Sequence, residues 1–446
     1  MKRDSSRVVA ASGAPSASHR RWGEAGFTLI ELSVVAFILA LVLIGAGNLF
    51  EFNTELARVQ MHLSDMQQSA RIAQRDIVGL VRMAGRGGLP VSLPAVGAGG
   101  FAGKLLPTGP AIEIANDVAD NTRIVAGDGT TPLIVEGTDV LTIRGVFNSS
   151  VYQVSPVATA TLILNDPNNP TTGTVKINDP NPVLRIPQAL RALEEAITTN
   201  RPEALLLISP LQDIYAIVEI TGGTVVTRDP DDNRPTEIDV DFRIGGTATA
   251  NGYLSLSPGG GFSTILRRVA AVGLVEEYRY FVREERAIAT DANSELRPRL
   301  TRARFYPGTD LPWDGDDANL RVDVADNIVD LQLAFGIDTN ADQVLQNDDP
   351  SPKDDDWLFD DPTDDASDAT KWNGANPLAP PSLYYLRIST LTRSERRDRG
   401  HVSPAITTIE DNAYGESASG GLSDAEMLDR TFHRSLLTTT VDLRNL

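Results

Sequence analysis

The 446-residue chain has no cysteine and only four histidines, His19, His62, His401 and His433. Without thiols there is no disulfide to staple the fold and no thiolate nucleophile, and four scattered histidines leave a zinc centre almost no ligands. Positive charge is also short, with 40 Lys and Arg against 60 Asp and Glu for a net −20. Nucleic acid is bound through clustered Lys and Arg, so this balance disfavours it as a partner. Catalytic motifs are missing as well. Gly415-Glu-Ser-Ala-Ser419 stops one residue short of a nucleophile elbow, because its last position is not glycine. Gly97-Ala-Gly99-Gly-Phe-Ala102 approaches a dinucleotide fingerprint but follows a helix and a linker where a strand is required. Both read as loop serine and turn glycine, so no catalytic residue is assigned and the chain is not read as an enzyme. Asn148-Ser-Ser150 fits a glycosylation sequon, a match that chance often produces.

Long apolar runs are scarce too, and the one exception is informative. Residues 32–50 carry no charge over nineteen positions. At helical rise they span ~28 Å, close to the hydrocarbon thickness of a bilayer, so they can cross it once. Ahead of them lies a leader, residues 1–26, with Lys2, Arg3, Arg7, Arg20 and Arg21 against Asp4 and Glu24. Positive charge on that side holds it in the cytoplasm. A secretory signal is cut after its apolar segment, whereas the small residue here, Gly26, stands before it. Leader and apolar run meet at Gly26-Phe27-Thr28-Leu29-Ile30-Glu31. A single acid inside an apolar helix is costly, and such residues are usually paired or functional.

From Phe52 the apolar positions are Phe52, Leu56, Val59, Leu63, Met66, Ala70, Ala73, Ile77, Leu80 and Ala84, with spacings that alternate four and three. This is the stripe of a helix with one buried face, and Arg58, Asp65, Arg71, Arg75 and Asp76 lie off it. Gly85 and the following Arg-Gly-Gly-Leu-Pro end it. Counted over residues 27–84, the helix would be ~87 Å long. Periodicity alone fits a homodimeric coiled coil equally well.

The block around Gly26 resembles the class III signal of type IV prepilins and type II secretion pseudopilins. Residues 63–85, 328–342 and 437–446 look like PilW-type minor pilins. The resemblance implies that a prepilin peptidase cuts between Gly26 and Phe27 and methylates Phe27, leaving Glu31 fifth in the mature chain. Glu31 would then pair with the α-amino group of a neighbouring subunit and set its register during assembly. It also implies that the first half of the helix packs in a filament core while the second half docks on the chain's own sheet. The expected fold class is α+β and pilin-like, a long N-terminal α-helix, transmembrane then amphipathic, packed on a mainly antiparallel β-sheet head with a large β-rich elaboration. Many pilins close a C-terminal loop with a disulfide, so the absence of cysteine departs from that pattern. Removing the leader leaves 35 basic and 58 acidic residues, a net −23.

The expected divisions are the leader at 1–26, the transmembrane half of the helix at 27–50 and its amphipathic half at 51–84. A Gly/Pro-rich connection at 85–110 leads to a β-rich head at 111–446, with a boundary near 200–235 if it forms two lobes. Strands are expected at 111–115, 122–125, 140–144, 161–164, 204–208, 214–220, 274–282, 329–337, 384–391 and 438–443, where short apolar or alternating runs are separated by Asn, Asp, Gly and Pro. Pro187 opens a helical pattern that reaches residue 198.

One loop has ion-binding spacing. Asp338, Asn340, Asp342 and Asp349 fall at positions one, three, five and twelve, with the Val344 carbonyl at seven, the arrangement by which a loop surrounds Ca²⁺ with oxygens. Gln343 stands where glycine usually makes the turn, and Asp349 replaces a longer bidentate Glu. A solvated acidic loop is the other reading. No required cofactor is expected, and Ca²⁺ is the ion that the spacing suggests.

The expected function is that of a minor pilin that primes or caps a type IV pilus. An adhesin or ligand-binding pilin shown at the filament tip is the alternative, and a type II secretion pseudopilin is the nearest family rival. The implied partners are other major and minor pilins, the prepilin peptidase and the inner-membrane assembly platform. The implied location is the inner membrane, single-pass with the head in the periplasm, and then the pilus or cell surface.

Overall fold

A computed structural model describes residues 28–84, 104–105, 111–119, 122, 133–147, 152–153, 162–164, 172–178, 190–199, 201–208, 215–243, 271–286, 291, 294–307, 312–313, 321–338, 343, 345, 356–360, 383–398, 400–416 and 428–443. Residues 123–125 of the strand expected at 122–125 lie outside them, as do the leader and most of the 85–110 connection.

The apolar run and the stripe behind it form one helix, α1 (Leu29–Val81). Its end is tighter than the spacing suggested. Met83 N and Ala84 N bond the carbonyls of Leu80 and Val81 at 2.9 and 3.0 Å, three residues back, so residues 82–84 close as a turn. The chain divides into two units between Gln60 and Met61, and α1 contributes to both.

In the first unit every residue from 28 to 58 is exposed, among them Leu32, Val35, Phe37, Leu43, Ile44 and Phe50. The segment is long and apolar enough to cross a membrane. Its hydroxyls are satisfied within the helix: Ser33 Oγ donates to Leu29 O at 2.8 Å and Thr54 Oγ1 to Phe50 O at 2.5 Å. This back-bonding lets polar side chains sit on an apolar cylinder without an idle donor.

The second unit begins with the rest of α1. Strands β1 (Lys104–Leu105), β2 (Ile112–Asn116), β3 (Val140–Gly145), β4 (Tyr152–Gln153), β5 (Leu162–Leu164) and β6 (Thr172–Asn178) precede helix α2 (Arg191–Thr198). Next come β7 (Ala204–Ile208), β8 (Tyr215–Arg228), β9 (Pro235–Arg243), β10 (Ala271–Arg286), β11 (Leu296–Phe305) and β12 (Arg321–Asp326). The last group is β13 (Ile328–Asp338), β14 (Asp356–Leu358), β15 (Leu383–Arg393), β16 (Thr408–Ile409), β17 (Asn412–Ala413) and β18 (Arg434–Asp442).

All pairings among the described strands are antiparallel. The long strand β10 joins two parts of the larger sheet. Its residues 271–275 pair with β7, leading to β8, β9, β6 and β5, while residues 276–286 pair with β3 and β11. A smaller sheet has the order β14-β13-β15-β18, and β16 with β17 makes a hairpin. The chain passes from the larger to the smaller sheet at Asn327, whose φ of 62° is a conformation that asparagine tolerates better than most residues.

Two apolar layers result. The main core places Ala73, Ile77, Leu80 and Val81 of α1 against residues of both sheets, including Ile112, Ile143, Leu331, Leu333, Ile388 and Val441. A second core is closed by α2, whose Leu193 and Ala196 bury against Val218, Ile238 and Val240. The long N-terminal helix and antiparallel body match the expected α+β architecture.

Candidate functional site

The exposed stem begins with a reciprocal cap. Glu31 N donates to Thr28 Oγ1 at 3.3 Å, and Glu31 Oε2 accepts from Thr28 N at 2.9 Å and from Thr28 Oγ1 at 3.0 Å. Thr28-Leu-Ile-Glu31 is therefore a capping box, in which acid and hydroxyl satisfy each other's orphan groups. The box uses the peptide N–H of Thr28, which a cut before Phe27 would leave intact. Gly26 and Phe27 lie outside the described residues.

Further along α1 the apolar stripe becomes a docking seam. Met66, Ala70, Ala73, Ile77 and Leu80 are buried, as the stripe required. Ala70 and Ala73 are small and buried to 2% and 0% exposure. Two polar groups fasten the seam. Gln74, 5% exposed, donates through Nε2 to Leu437 O at 2.5 Å and Ile388 O at 3.2 Å, and its Oε1 accepts from Thr439 Oγ1. It thereby bridges α1 to β15 and β18. Asp76 accepts from Tyr280 OH at 2.7 Å and from Arg302 through two 3.0 Å bonds, tying the same helix to β10 and β11. Burial and the Asp76 carboxylate push the Tyr280 phenol well up, so it stays a donor at any physiological pH.

A second polar set lies in the larger sheet. Glu277 is fully buried between Arg144 Nε and Arg279 Nε, both at 2.7 Å, and Arg144 also bonds Glu113 at 2.7 Å. Burial alone would raise the Glu277 carboxyl, yet the two guanidiniums hold it below the usual range. The group ties β3 to β10 in their antiparallel register.

Of the loop with ion-binding spacing, Asp338 is buried at the end of β13 and its Oδ2 accepts from Gln343 N at 2.8 Å. Gln343 has a φ of 69°, so it makes the left-handed turn that its place in the spacing demands despite not being glycine. Asn340, Asp342, Val344 and Asp349 lie outside the described residues. Among the described residues no group of three or more His, Asp or Glu is placed to hold a metal ion. The near-motifs at 97–102 and 148–150 also lie outside them. Gly415 is described, with a φ of 62°, and serves as a turn.

Gln74 and Asp76 were not legible as fasteners. Gln74 interrupts the buried face between Ala73 and Ile77, which is the one signal that singles it out. Asp76 reads as an off-stripe acid beside Arg75.

Among known families, residues 279–445 match PilW, the type IV pilus-assembly protein W. The match starts within β10 and takes in every strand from β11 to β18. It includes residues 328–342 and nearly all of 437–446, while the α1 segment and the Gly26 block fall outside it. The match supports a part for the chain in type IV pilus assembly. No curated protein and no solved structure matches the chain.

Proposed function

We propose that the chain is a minor pilin, processed between Gly26 and Phe27, methylated on Phe27 and drawn from the inner membrane into a type IV pilus. The observation that carries this reading is a wholly exposed apolar helix, continuous with a segment docked on a PilW-like body. Apolar surface of that extent is stable in lipid or against other helices, and in water it is a liability. The stem therefore has two homes, the bilayer before assembly and a bundle of neighbouring stems after it.

Glu31 distinguishes them. Within its own chain the acid is held by the Thr28 cap, which lessens the cost of carrying it in an apolar setting. In a filament the partner would be the amino group of a neighbour's Phe27, and a charge pair in low dielectric is strong when made and costly when half-made. The partners of this reading are major and minor pilins, the prepilin peptidase and the assembly platform. Its location is the inner membrane with the body in the periplasm, then the pilus.

The test is Glu31→Ala. Processing should proceed as in the wild type, while recovery of the protein in sheared pili should fall below detection by immunoblot. Normal incorporation of the variant would refute the role of the acid. We also propose that the loop from Asp338 to Asp349 holds Ca²⁺ through oxygen ligands. Calorimetry on the detergent-solubilised chain should give a Ca²⁺ heat that Asp338→Ala removes, and no heat in the wild type would end this proposal.

A further inference from the structure

Residues 394–398 and 400–403 lie as a strap along residues 430–433, the stretch that leads into β18. Backbone bonds hold the two together: Ser394 N donates to His433 O at 2.8 Å, Asp398 N to Thr431 O at 2.9 Å and Ser403 N to Arg430 O at 2.7 Å. Side chains add two more, from His433 N to Ser394 Oγ at 3.1 Å and from Ser403 Oγ to Phe432 O. Phe432 is buried in this stretch, with the guanidiniums of Arg393 and Arg397 at 4.4 and 5.1 Å from its ring centre.

Two of the chain's four histidines meet where strap and stretch join. His401 and His433 stack, with ring centres 3.7 Å apart and planes 25° from parallel. Their Nε2 atoms have different neighbours: His433 Nε2 lies 3.3 Å from Asp398 Oδ2, whereas His401 Nε2 lies 3.1 Å from Ser403 Oγ. The Ser403 hydroxyl gives its hydrogen to Phe432 O, so it accepts from His401, and this assigns the hydrogen of the neutral ring to Nε2. A further proton then goes to Nδ1. Neutral rings stack freely, but two imidazoliums at this distance are like charges in contact. A first proton on the pair has the Asp398 carboxylate beside it, and a second meets the charge of the first.

We propose that the stacked pair of His401 and His433 is an acid-sensitive latch, which keeps the strap closed while it holds at most one proton and releases it when a second is forced on. Burial and the facing His433 hold His401 below the ordinary histidine range, and Asp398 is the one carboxylate that opposes them. The Gly400 N–H and then His433 keep Asp398 itself below the usual aspartate range. Other charges on the packed segments are arginines and their partners. Arg430 donates to Ser403 O at 2.9 Å, Arg434 is committed to Glu416 and Asp429, and Arg297 and Arg397 face Glu395 and Glu295 at 2.8 and 3.9 Å. Arg393 and the exposed Arg396 add positive charge beside them. With the strap open the rings part and each takes its proton freely, so the closed state binds fewer protons than the open one. Closure is therefore complete above about pH 6.5, the ordinary histidine value, and is lost as pH falls below it. The latch holds or fails independently of the stem's route into a pilus.

The test is hydrogen exchange on the full chain in detergent micelles at pH 7.5 and 5.0, with protection corrected for intrinsic rates. In the wild type, peptides covering residues 394–403 should lose about fivefold or more in protection at the lower pH, the size of a like-charge contact at stacking distance. His401→Gln and His433→Gln keep a side-chain donor but leave one titrating ring, so either should abolish most of that loss. A loss of equal size in both variants, or none in the wild type, would overturn the proposal. So would an equal loss over β15, residues 383–391, since that marks general unfolding in place of a released strap. Two variants are used so that misfolding of one leaves the other to decide.

Discussion

Truncating Gln74 to alanine would remove at once its hydrogen bonds to the Ile388 and Leu437 carbonyls and to the Thr439 hydroxyl. Idle buried polar groups cost about 1–3 kcal/mol, so Gln74→Ala should lower the stability of the body by about 2 kcal/mol in urea unfolding of the solubilised chain. Gln67→Ala, on the exposed face of the same helix, should cost less than about 0.5 kcal/mol. Asp76 belongs to the same scale and explains why single residues were hard to read. Its partners Tyr280 and Arg302 lie 204 and 226 positions away, and no local pattern encodes a pairing at that separation. Glu31 stands out in the sequence because its surroundings are local: one acid at the head of an apolar run, three residues after the threonine that the structure shows capping it.

At the scale of elements, the seam of α1 rests on small residues. Ala73 is fully buried against the sheet, so Ala73→Leu forces side chains into a packed interior and should cost about 1–3 kcal/mol by the same urea measurement. Ala57→Leu, one face exposed in the stem, should leave the midpoint unchanged. An equal loss from both would mean that the seam is not a packed contact. The alternation of four and three announced this helix and its buried face, and burial of the stripe from Met66 onward against the chain's own sheet decides between the two readings periodicity allowed. Apolar runs announced β3, β7, β13, β15 and α2. Strands β9, β11 and β12 were missed, because Asp and Arg fill their alternate positions and Pro298 sits within β11. Ion pairs hold them, as when Arg283 and Arg299 share Asp323 across β10, β11 and β12. Which sheet a strand joins was also hidden, since the corner at Asn327 depends on one backbone conformation.

For the whole molecule, acid groups pull stability in two directions. Glu203, pushed up to about 7 by burial, and Asp330, pushed up to about 6, contribute most at low pH and less as pH rises through those values. Glu277, Asp323 and Glu416 resist their own burial because arginines hold them below the usual range, and what they contribute is lost on acidification below about pH 4.5. Net negative charge adds self-repulsion at high pH. Thermal unfolding of the solubilised chain should therefore peak between about pH 4.5 and 6 and fall on both sides, whereas a midpoint that climbs steadily to pH 8 would contradict these assignments.

The larger claim is that the molecule exists to leave the membrane, trading lipid for neighbouring stems. Mass spectrometry of the N-terminal peptide from protein recovered in sheared pili tests it most directly. The expected peptide begins at Phe27 and carries one methyl group on its amine. A peptide beginning at Met1, or absence of the protein from pili while it accumulates in the inner membrane, would contradict the account.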